Sequence, residues 1–347
     1  MMKFLKQQFE EALEARIDSD GRVNVGRYSF EAVEILNLAG DAYETTFHDW
    51  LWEDWLPIRT DRLAELLTLK FNESRFGELR NAIGKGCVVP FVGSGMSVPS
   101  GLPTWTEFLK KLRKIQSALD CHAFRKMLSA GDFEGIASEL FRGMPQQLFE
   151  ERIEATFGIS DVSLVTGPIH FLPLLFDSTI VTTNYDDLLE KLFAEHATTF
   201  QDILYGPRIA QYRRRGPAGT RRLLKLHGNY RDPETRVLTR EEYDEFYRNG
   251  CPGREELSLL FRGHSLLFLG CSLKNDRTMS LLHETAMADR GMPRHYALLS
   301  MPRSPNGLRS REHFLTERSI FPIWYDGDHN EDIETFLVGV LEYLKKL

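Results

Sequence analysis

Residues 87–105 read CVVPFVGSGMSVPSGLPTW, which predicts a buried strand, a glycine loop and a helix in direct succession. The run from Cys87 to Val92 is apolar without polar alternation, as in a strand that is covered on both faces of its sheet. It leads straight into Gly93 and Gly95, where a missing Cβ lets a bound group approach the backbone closely. Because a helix start attracts anions, a helix just beyond such a loop is typical of a phosphate-binding turn.

The helix after this loop has its own start signal. Thr104 and Glu107 have the spacing of a capping box for a helix that begins at Trp105. The full dinucleotide fingerprint would need a third glycine where Val98 stands. Taken alone, the Gly-x-Gly turn is therefore equally compatible with a tight strand-to-helix connection that binds nothing.

Length and charge narrow the class of protein. A chain of 347 residues suits one large α/β domain with an appendage or two ordinary domains, and we expect one core with additions. Its formal net charge of −7 creates no overall basic field, so direct nucleic-acid binding is not supported. The arginines within residues 213–222 flank a Gly/Pro-rich segment, and we expect them to be solvated loop residues rather than a phosphate or partner site.

Cysteine spacing and hydropathy further restrict the class of protein. The four cysteines include no Cys-x-x-Cys pair, so we expect no zinc or other metal site. No run approaches the roughly 18 apolar residues of a membrane helix, and the N-terminus lacks a signal-peptide core. We therefore expect a cytoplasmic protein with reduced thiols and no membrane contact.

Two helical additions to a central domain are predicted. Residues 1–80 show helical periodicity and are expected to form an N-terminal helical region, followed by the main domain at residues 81–347. The aromatic segment 47–56 in the first region is either a packing face or an exposed partner surface. Within the main domain, residues around 106–165 are helical with glycine breaks, which predicts an inserted helical subdomain that forms a wall or lid of a site.

The rest of the chain repeats a strand-then-helix pattern. Short buried strands are expected at 178–182, 222–226, 265–269, 296–299 and 320–324, with helices at 169–176, 187–193 and 333–347. This alternation predicts an α/β fold with a doubly wound, mostly parallel sheet. Ligands of such sheets bind beyond the carboxyl ends of the strands.

Unusual residues follow four of these strands. They are the glycine loop, Thr183-Asn184-Tyr185-Asp186, His227-Gly228 and Gly270-Cys271-Ser272. A histidine after a strand is as often structural as catalytic, but a neutral imidazole beside a nucleotide loop is a good general base. Asn184 can hold a hydroxyl or water in line for attack, or it can cap the next helix, a role for which Asp186 competes.

These four segments together resemble the signature segments of the sirtuin-like NAD-binding family. The resemblance runs from about residue 84 to the C-terminus and excludes the N-terminal region and the helical insert. It implies a Rossmann-like sirtuin fold with NAD as substrate. It also implies that Asn184 and His227 promote cleavage of the nicotinamide glycosidic bond. The residues implied in cofactor binding are Gly93, Ser94, Gly95, Ser97, Pro103, Trp105, Thr183, Asp186, Gly270 and Ser272.

Two departures from the family bear on the activity. A protein-deacylating sirtuin carries Asp-Phe-Arg after the Gly-x-Pro of its loop, where this chain has residues 104–106, Thr-Trp-Thr. It also carries a four-cysteine zinc module that Cys251 and Cys271 cannot supply. The sequence is more similar to bacterial antiphage sirtuin-like NAD hydrolases, which implies release of nicotinamide and ADP-ribose and defence by NAD depletion.

Other functions stay open at this point. The same pocket could serve a protein deacylase, an ADP-ribosyltransferase or a nucleotide-sensing module without turnover. A nuclease would need clustered acidic ligands, for which Asp186 and Asp276 are the candidates, although Asp276 more simply caps a helix near Arg277.

Control of a toxic hydrolase implies partners. We expect a homo-oligomer, because subunit contact is a simple switch. The resemblance also suggests a separate ATPase of the hexameric DNA-translocase type, since this chain has no Gly-x-x-x-x-Gly-Lys loop. The candidate subunit contacts are Phe47, Trp50, Trp52 and Trp55.

Overall fold

The computed structural model describes residues 2–16, 22–25, 28–115, 119–158, 165–214, 219–274 and 276–347 of the chain. The strands in this part are β1 (Arg22–Val25), β2 (Tyr28–Glu31), β3 (Val88–Val92), β4 (Thr179–Thr182), β5 (Asp202–Tyr205), β6 (Arg222–Lys225), β7 (Ser265–Leu269), β8 (His295–Ser300) and β9 (Ile320–Tyr325). The helices before β3 are α1 (Met2–Arg16), α2 (Ala32–Leu38), α3 (Ala42–Asp49), α4 (Leu56–Leu67) and α5 (Asn72–Gly84). The helices between β3 and β6 are α6 (Trp105–Ile115), α7 (Cys121–Ser129), α8 (Phe133–Arg142), α9 (Gln146–Phe157), α10 (Leu172–Leu175) and α11 (Leu188–Glu195). The helices after β6 are α12 (Arg240–Phe246), α13 (Pro252–Gly263), α14 (Arg277–Ala288), α15 (Pro305–Thr316) and α16 (His329–Tyr343).

Strands β3 to β9 form one parallel sheet in the order β5-β6-β4-β3-β7-β8-β9. β3 lies at the centre, and the chain builds the sheet outward from it first on one side and then on the other. The winding therefore reverses beside β3, as in a doubly wound sheet. The predicted α/β fold class is confirmed.

The residues of β3 alternate between two hydrophobic cores. Val88 and Val92 pack into the first core, and Val89 and Phe91 pack into the second. Successive side chains of a strand point to opposite faces of the sheet, so a strand covered by helices on both faces is apolar throughout. All five residues of β3 are buried.

The N-terminal helices share the first core with the sheet. Phe9 of α1 and Phe47 of α3 belong to the same cluster of buried residues as Val92. A π-helical turn, Trp50–Trp55, joins α3 to α4 in one continuous helical run. In its described part the region before residue 80 is helical, with the hairpin β1–β2 as an addition that the sequence analysis did not predict.

The structure corrects the choice of subunit-contact residues. Phe47, Trp50 and Trp55 are 0%, 9% and 2% exposed, because they pack inside the chain. Their selection as partner contacts is wrong, and the interpretation as a packing face applies to them. Trp52 is 51% exposed and is the member of the set that can reach another molecule.

Helices α6 to α9 form a group with a core of its own. Phe108, Leu140 and Phe149 are fully buried there, and Tyr185 and Tyr230 from the main domain complete the cluster. Ion pairs also join this helical group to α12 and α14. Arg240 lies 2.5 Å from Asp132, and Arg277 lies 2.9 Å from Glu134. This group lies beside the segment that follows β4, where the sequence predicts the site.

Some predicted elements differ in detail. The helix expected at 169–176 is a 3₁₀ turn, Pro168–Phe171, followed by the single turn of α10. Strand β5 was not predicted, since Asp202–Tyr205 is a short, half-covered edge strand with only three apolar residues. Among the described residues, no helix is long and apolar enough to cross a membrane.

Candidate functional site

The four predicted segments meet at one edge of the sheet. The glycine loop follows β3, and residues 183–186 follow its neighbour β4. His227 lies two residues beyond the end of β6, and Gly270 comes directly after β7; these are the next strands on either side. Because all these strands are parallel, their carboxyl ends lie on the same edge, and the residues singled out from sequence line one region beside β3.

The glycines of the loop are required by packing against the end of β7. The Gly93 N–H donates to Leu269 O at 2.8 Å, and the Gly95 N–H donates to Gly270 O at 2.9 Å. A Cβ on Gly93 or Gly95 would lie only 2.6 or 2.8 Å from the Gly270 oxygen. The sequence predicts that these glycines let a bound group approach the backbone, and the structure adds an internal reason for them.

A chain of buried hydrogen bonds links the glycine loop to the turn after β4. The Asn184 side-chain amide donates to Ser97 Oγ at 3.0 Å, and the Ser97 hydroxyl donates to Asp186 Oδ2 at 2.9 Å. The three residues are between 1% and 9% exposed. Since the amide nitrogen faces Ser97, the Asn184 carbonyl oxygen is left to accept a bond from another group.

The backbone of this turn is fixed to β3. The Thr182 hydroxyl donates to Val92 O at 2.8 Å and accepts from the Asn184 N–H at 3.0 Å. The Thr183 N–H also points at Val92 O, at 3.4 Å. Asn184 therefore extends from a turn that is tied at its base to the central strand, which limits the positions its side chain can take.

Asp186 combines a structural role with the link to Ser97. Its second oxygen accepts from the Leu188 N–H at 3.2 Å, at the start of α11, so it serves the helix start as the sequence suggested. Burial raises the pKa of Asp186, and the nearby Lys225 ammonium opposes that rise. A predicted role in cofactor binding would use the same carboxylate.

His227 lies between two tyrosines that the sequence analysis did not single out. Its Nδ1 is 3.2 Å from the Tyr243 hydroxyl, and its Nε2 is 3.2 Å from the Tyr247 hydroxyl. Burial lowers the pKa of His227 to about 3, so the ring is neutral at pH 7 and has one donor and one acceptor nitrogen. The spacing of four residues places both tyrosines on one helical face, but nothing in the sequence connects them to His227.

A second histidine reaches this edge from β9. His329 begins α16, and its Nδ1 lies 2.5 Å from the Tyr325 hydroxyl. Its Nε2 would be 3.0 Å from a Cβ on Gly95. Burial lowers the pKa of His329. Sequence reasoning missed this residue, because β9 is an edge strand three strands from β3 and only the start of α16 returns to the glycine loop.

The other predicted binding residues lie around the same loop. Ser94 is partly exposed in a 3₁₀ turn, and Pro103 is buried. Trp105 packs against Phe108 and Tyr185, with ring centroids 5.5 and 5.6 Å away. Its indole is therefore part of the contact between the helical group and the turn after β4.

The fourth segment shapes the loop from β7. Gly270 has a φ of +64°, and a Cβ there would lie 2.5 Å from the Met96 nitrogen, so only glycine fits. Ser272 is exposed, and its carbonyl accepts from Arg311 at 2.7 Å. Asp276 caps α14 through the Met279 N–H at 2.9 Å, which confirms the predicted cap.

In the described part of the chain, no three histidine, cysteine, aspartate or glutamate side chains converge as metal ligands would.

Comparison with known proteins identifies one domain. The family model described as a SIR2-like domain matches residues 178–323, which include Asn184, His227 and Gly270. The chain is similar to NAD(+) hydrolase ThsA of Enterococcus faecium, with 24% identity over 270 residues, or 77% of this chain and 54% of that protein. It is also similar to Defense-associated sirtuin 2 of Bacillus subtilis, with 24% identity over 59% of this chain and 20% of that protein.

The chain thus spans about half the length of the first of these relatives and a fifth of the second. A crystal structure of a SIR2 homologue in complex with NAD aligns with a TM-score of 0.37 and 15% identity, over 77% of this chain and 94% of that one.

Proposed function

We propose that this chain, which carries a SIR2-like domain at residues 178–323, hydrolyses NAD at the bond between nicotinamide and ribose. Water and NAD would give nicotinamide, ADP-ribose and a proton. The observation that carries this proposal is the Asn184 amide, oriented by Ser97 and placed on the same sheet edge as a neutral His227. The similarity to proteins named NAD(+) hydrolase ThsA supports the same reaction.

The reaction requires the protein mainly to position the ribose and water and to stabilise the developing charge. The nicotinamide ring of NAD is a cation and leaves as a neutral molecule, so the ribose carbon acquires positive character in the transition state. A site that holds the ribose, admits one water and tolerates that charge can therefore accelerate the reaction without a covalent intermediate.

Asn184 is the group that positions the attacking water and the ribose hydroxyl. Its amide nitrogen is bonded to Ser97, and within the described ranges no hydrogen bond to its carbonyl oxygen is seen, so that oxygen can accept from a substrate group. An oriented acceptor holds a hydroxyl or water near its line of attack, and such positioning lowers the barrier by removing unproductive arrangements.

His227 is the acceptor for the released proton. One of its ring nitrogens is an acceptor at pH 7, and a tyrosine hydroxyl lies 3.2 Å from it. A ribose hydroxyl or water that takes the place of that tyrosine would find an acceptor already in position. Burial makes the imidazole a weak base, so we infer that proton transfer occurs only as charge develops at the ribose.

The glycine loop and the end of β7 hold the rest of NAD. The residues assigned to this role are Gly93, Ser94, Gly95, Ser97, Pro103, Trp105, Thr183, Asp186, Gly270 and Ser272. Their support is their common location around the carboxyl end of β3, where parallel sheets of this type bind nucleotides.

In the cell, we propose a defence role by depletion of NAD, which the name of the Bacillus subtilis relative supports. A constitutive NAD hydrolase would poison its host, so activity must be controlled. We propose a cytoplasmic homo-oligomer, with a separate ATPase of the hexameric DNA-translocase type as a candidate partner.

The direct test is incubation of the pure chain with NAD while nicotinamide and ADP-ribose are measured. We expect equal amounts of both products, and none from an Asn184→Ala variant. An acetylated peptide is included in a parallel reaction. Nicotinamide release that depends on the peptide would contradict the proposal and favour a deacylase, and the absence of release under every condition would favour a binding module.

A further inference from the structure

Lys225 is a fully buried cation beneath the candidate site. It ends β6, two residues before His227, and its side chain is 0% exposed. Its ammonium donates to the backbone carbonyl of Asp186 and to Glu190 Oε1, the latter at 2.8 Å. One side chain therefore joins β6, the turn after β4 and the first part of α11.

A buried ammonium is an unfavourable way to stabilise a fold. Removing a charged group from water costs more free energy than a buried ion pair usually returns, and apolar residues of similar volume often stabilise a fold better. Asp186, which Lys225 contacts, is also buried and leads through Ser97 to Asn184. The location of the lysine thus coincides with the groups whose orientation matters for the proposed reaction.

The charge of Asp186 decides the direction of the hydrogen bonds. An ionised carboxylate can only accept, so the Ser97 hydroxyl must donate to it, and the Ser97 oxygen is then free to accept from the Asn184 amide nitrogen. A protonated Asp186 could instead donate to Ser97, which removes the constraint on Asn184. The orientation of the Asn184 carbonyl oxygen therefore depends on a negative Asp186.

We propose that Lys225 is a positioning residue that keeps the Asn184 carbonyl oxygen directed at the substrate through the series Lys225, Asp186, Ser97 and Asn184. This role depends on the proposed NAD hydrolysis for its effect on rate, but the geometry of the series does not. Of the charged groups nearby, the Lys225 ammonium of β6 lowers the pKa of Asp186, and the Glu190 carboxylate of α11 raises it. Loss of Lys225 should therefore shift the carboxyl toward its protonated form.

The kinetic test compares Lys225→Met with the parent chain across pH 5.5 to 8.5. We expect kcat to fall roughly tenfold to a hundredfold at neutral pH with a smaller change in KM, because a misplaced acceptor affects the transition state more than binding. We also expect kcat of the variant to rise with pH as Asp186 ionises. The control is Lys191→Met, which removes a lysine of α11 that pairs with Asp187 at 3.3 Å, and it should keep the parent profile.

A spectroscopic measurement separates this role from the proposed activity. With ¹⁵N-labelled asparagine, the Asn184 side-chain signals are assigned by their loss in Asn184→Ala. We expect these signals to change at a higher pH in Lys225→Met than in the parent, because burial raises the pKa of Asp186 and loss of the Lys225 ammonium raises it further. If the parent releases no nicotinamide, the proposed function fails, and these signals still decide the role of Lys225.

A second variant tests the same role if Lys225→Met does not fold. Asp186→Asn keeps the shape of the side chain but can donate to Ser97, so we expect the Asn184 signals to shift at every pH. A folded Lys225→Met with the parent's kcat and pH profile would overturn the proposal, as would unchanged Asn184 signals in Asp186→Asn.

Discussion

The side-chain amide of Asn184 donates to the hydroxyl of Ser97 across 3.0 Å, and this bond joins the turn after β4 to the glycine loop after β3. It defines which end of the amide faces Ser97 and which end can receive a substrate group. The two residues are 87 positions apart in the chain, so the bond also fixes the relative position of two neighbouring strand ends.

The first prediction concerns Asn184 itself. Asn184→Ala should abolish nicotinamide release and leave thermal stability nearly unchanged, since the residue lies at a strand end and adds little apolar contact. Turnover within about tenfold of the parent, or roughly 1.4 kcal/mol of barrier, would show that Asn184 does not position the water. Asn81→Ala, on the exposed surface of α5, is the control for the substitution.

His227 should matter for rate more than for binding. His227→Ala is expected to lower kcat about a hundredfold to ten-thousandfold, the usual contribution of a general base, with little change in KM. Tyr243→Phe removes one hydroxyl bonded to the ring and should have a smaller effect in the same direction. A raised KM with unchanged kcat in His227→Ala would assign the histidine to substrate binding. The exposed His313→Ala is the matched control.

The sequence predicted the sheet because its signal is local. The apolar run of β3 and the residues after β4, β6 and β7 lie within short windows, and parallel strands must present their carboxyl ends on one edge. Lys225, Tyr243 and His329 were missed as parts of the site for the opposite reason. They meet Asp186, His227 and Gly95 only in the folded chain, and a lysine that ends a strand has no local feature to distinguish it from a solvated one.

Gly95 should be sensitive to any side chain. A Cβ there would lie 2.8 Å from both the Cα and the carbonyl oxygen of Gly270, and backbone atoms cannot easily move aside. We expect Gly95→Ala to destabilise the fold by roughly 1–3 kcal/mol, the usual range for overpacking, and to reduce NAD binding as the loop shifts. Thermal unfolding and NAD titration measure the two effects.

The control for this substitution is Gly77→Ala. Gly77 lies within α5, and a Cβ there meets no atom within 4 Å. Alanine in a helix interior is favoured over glycine by up to about 1 kcal/mol, so this variant should be as stable as the parent or more so. Equal stability of Gly95→Ala and Gly77→Ala would remove the packing explanation for the loop.

The stability of the protein should fall in mild acid because of its buried histidines. Burial lowers the pKa of His170 to about 4, and its ring stacks on Phe4 with centroids 4.4 Å apart. The unfolded chain binds a proton near the ordinary pKa of about 6.5, so the contribution is complete above that pH and is lost as the pH falls toward 4. Protonation of this residue should therefore lower the free energy of unfolding by roughly 2 kcal/mol between pH 7 and pH 5.

Replacing His170 tests that account. His170→Phe retains an aromatic ring against Phe4 but cannot be protonated, so the drop in Tm between pH 7 and pH 5 should be smaller than in the parent. Some acid sensitivity should persist, because burial also lowers the pKa of His295 to about 3. An identical drop in both proteins would exclude His170 as a source of the pH dependence.

Of the four aromatic residues predicted as subunit contacts, Trp52 is the exposed one and therefore the one that can test self-assembly. Trp52 projects from the π-helical turn between α3 and α4, whereas its neighbours Trp50 and Trp55 are packed in the core. Large aromatic side chains dominate interface energetics when another chain covers them, so Trp52→Ser should lower the molar mass measured by light scattering at micromolar concentration. Met287→Ser, which alters another exposed apolar residue on α14, should leave that mass unchanged. A monomeric parent would contradict self-assembly, whereas an intact oligomer in Trp52→Ser would place the subunit contact elsewhere on the surface.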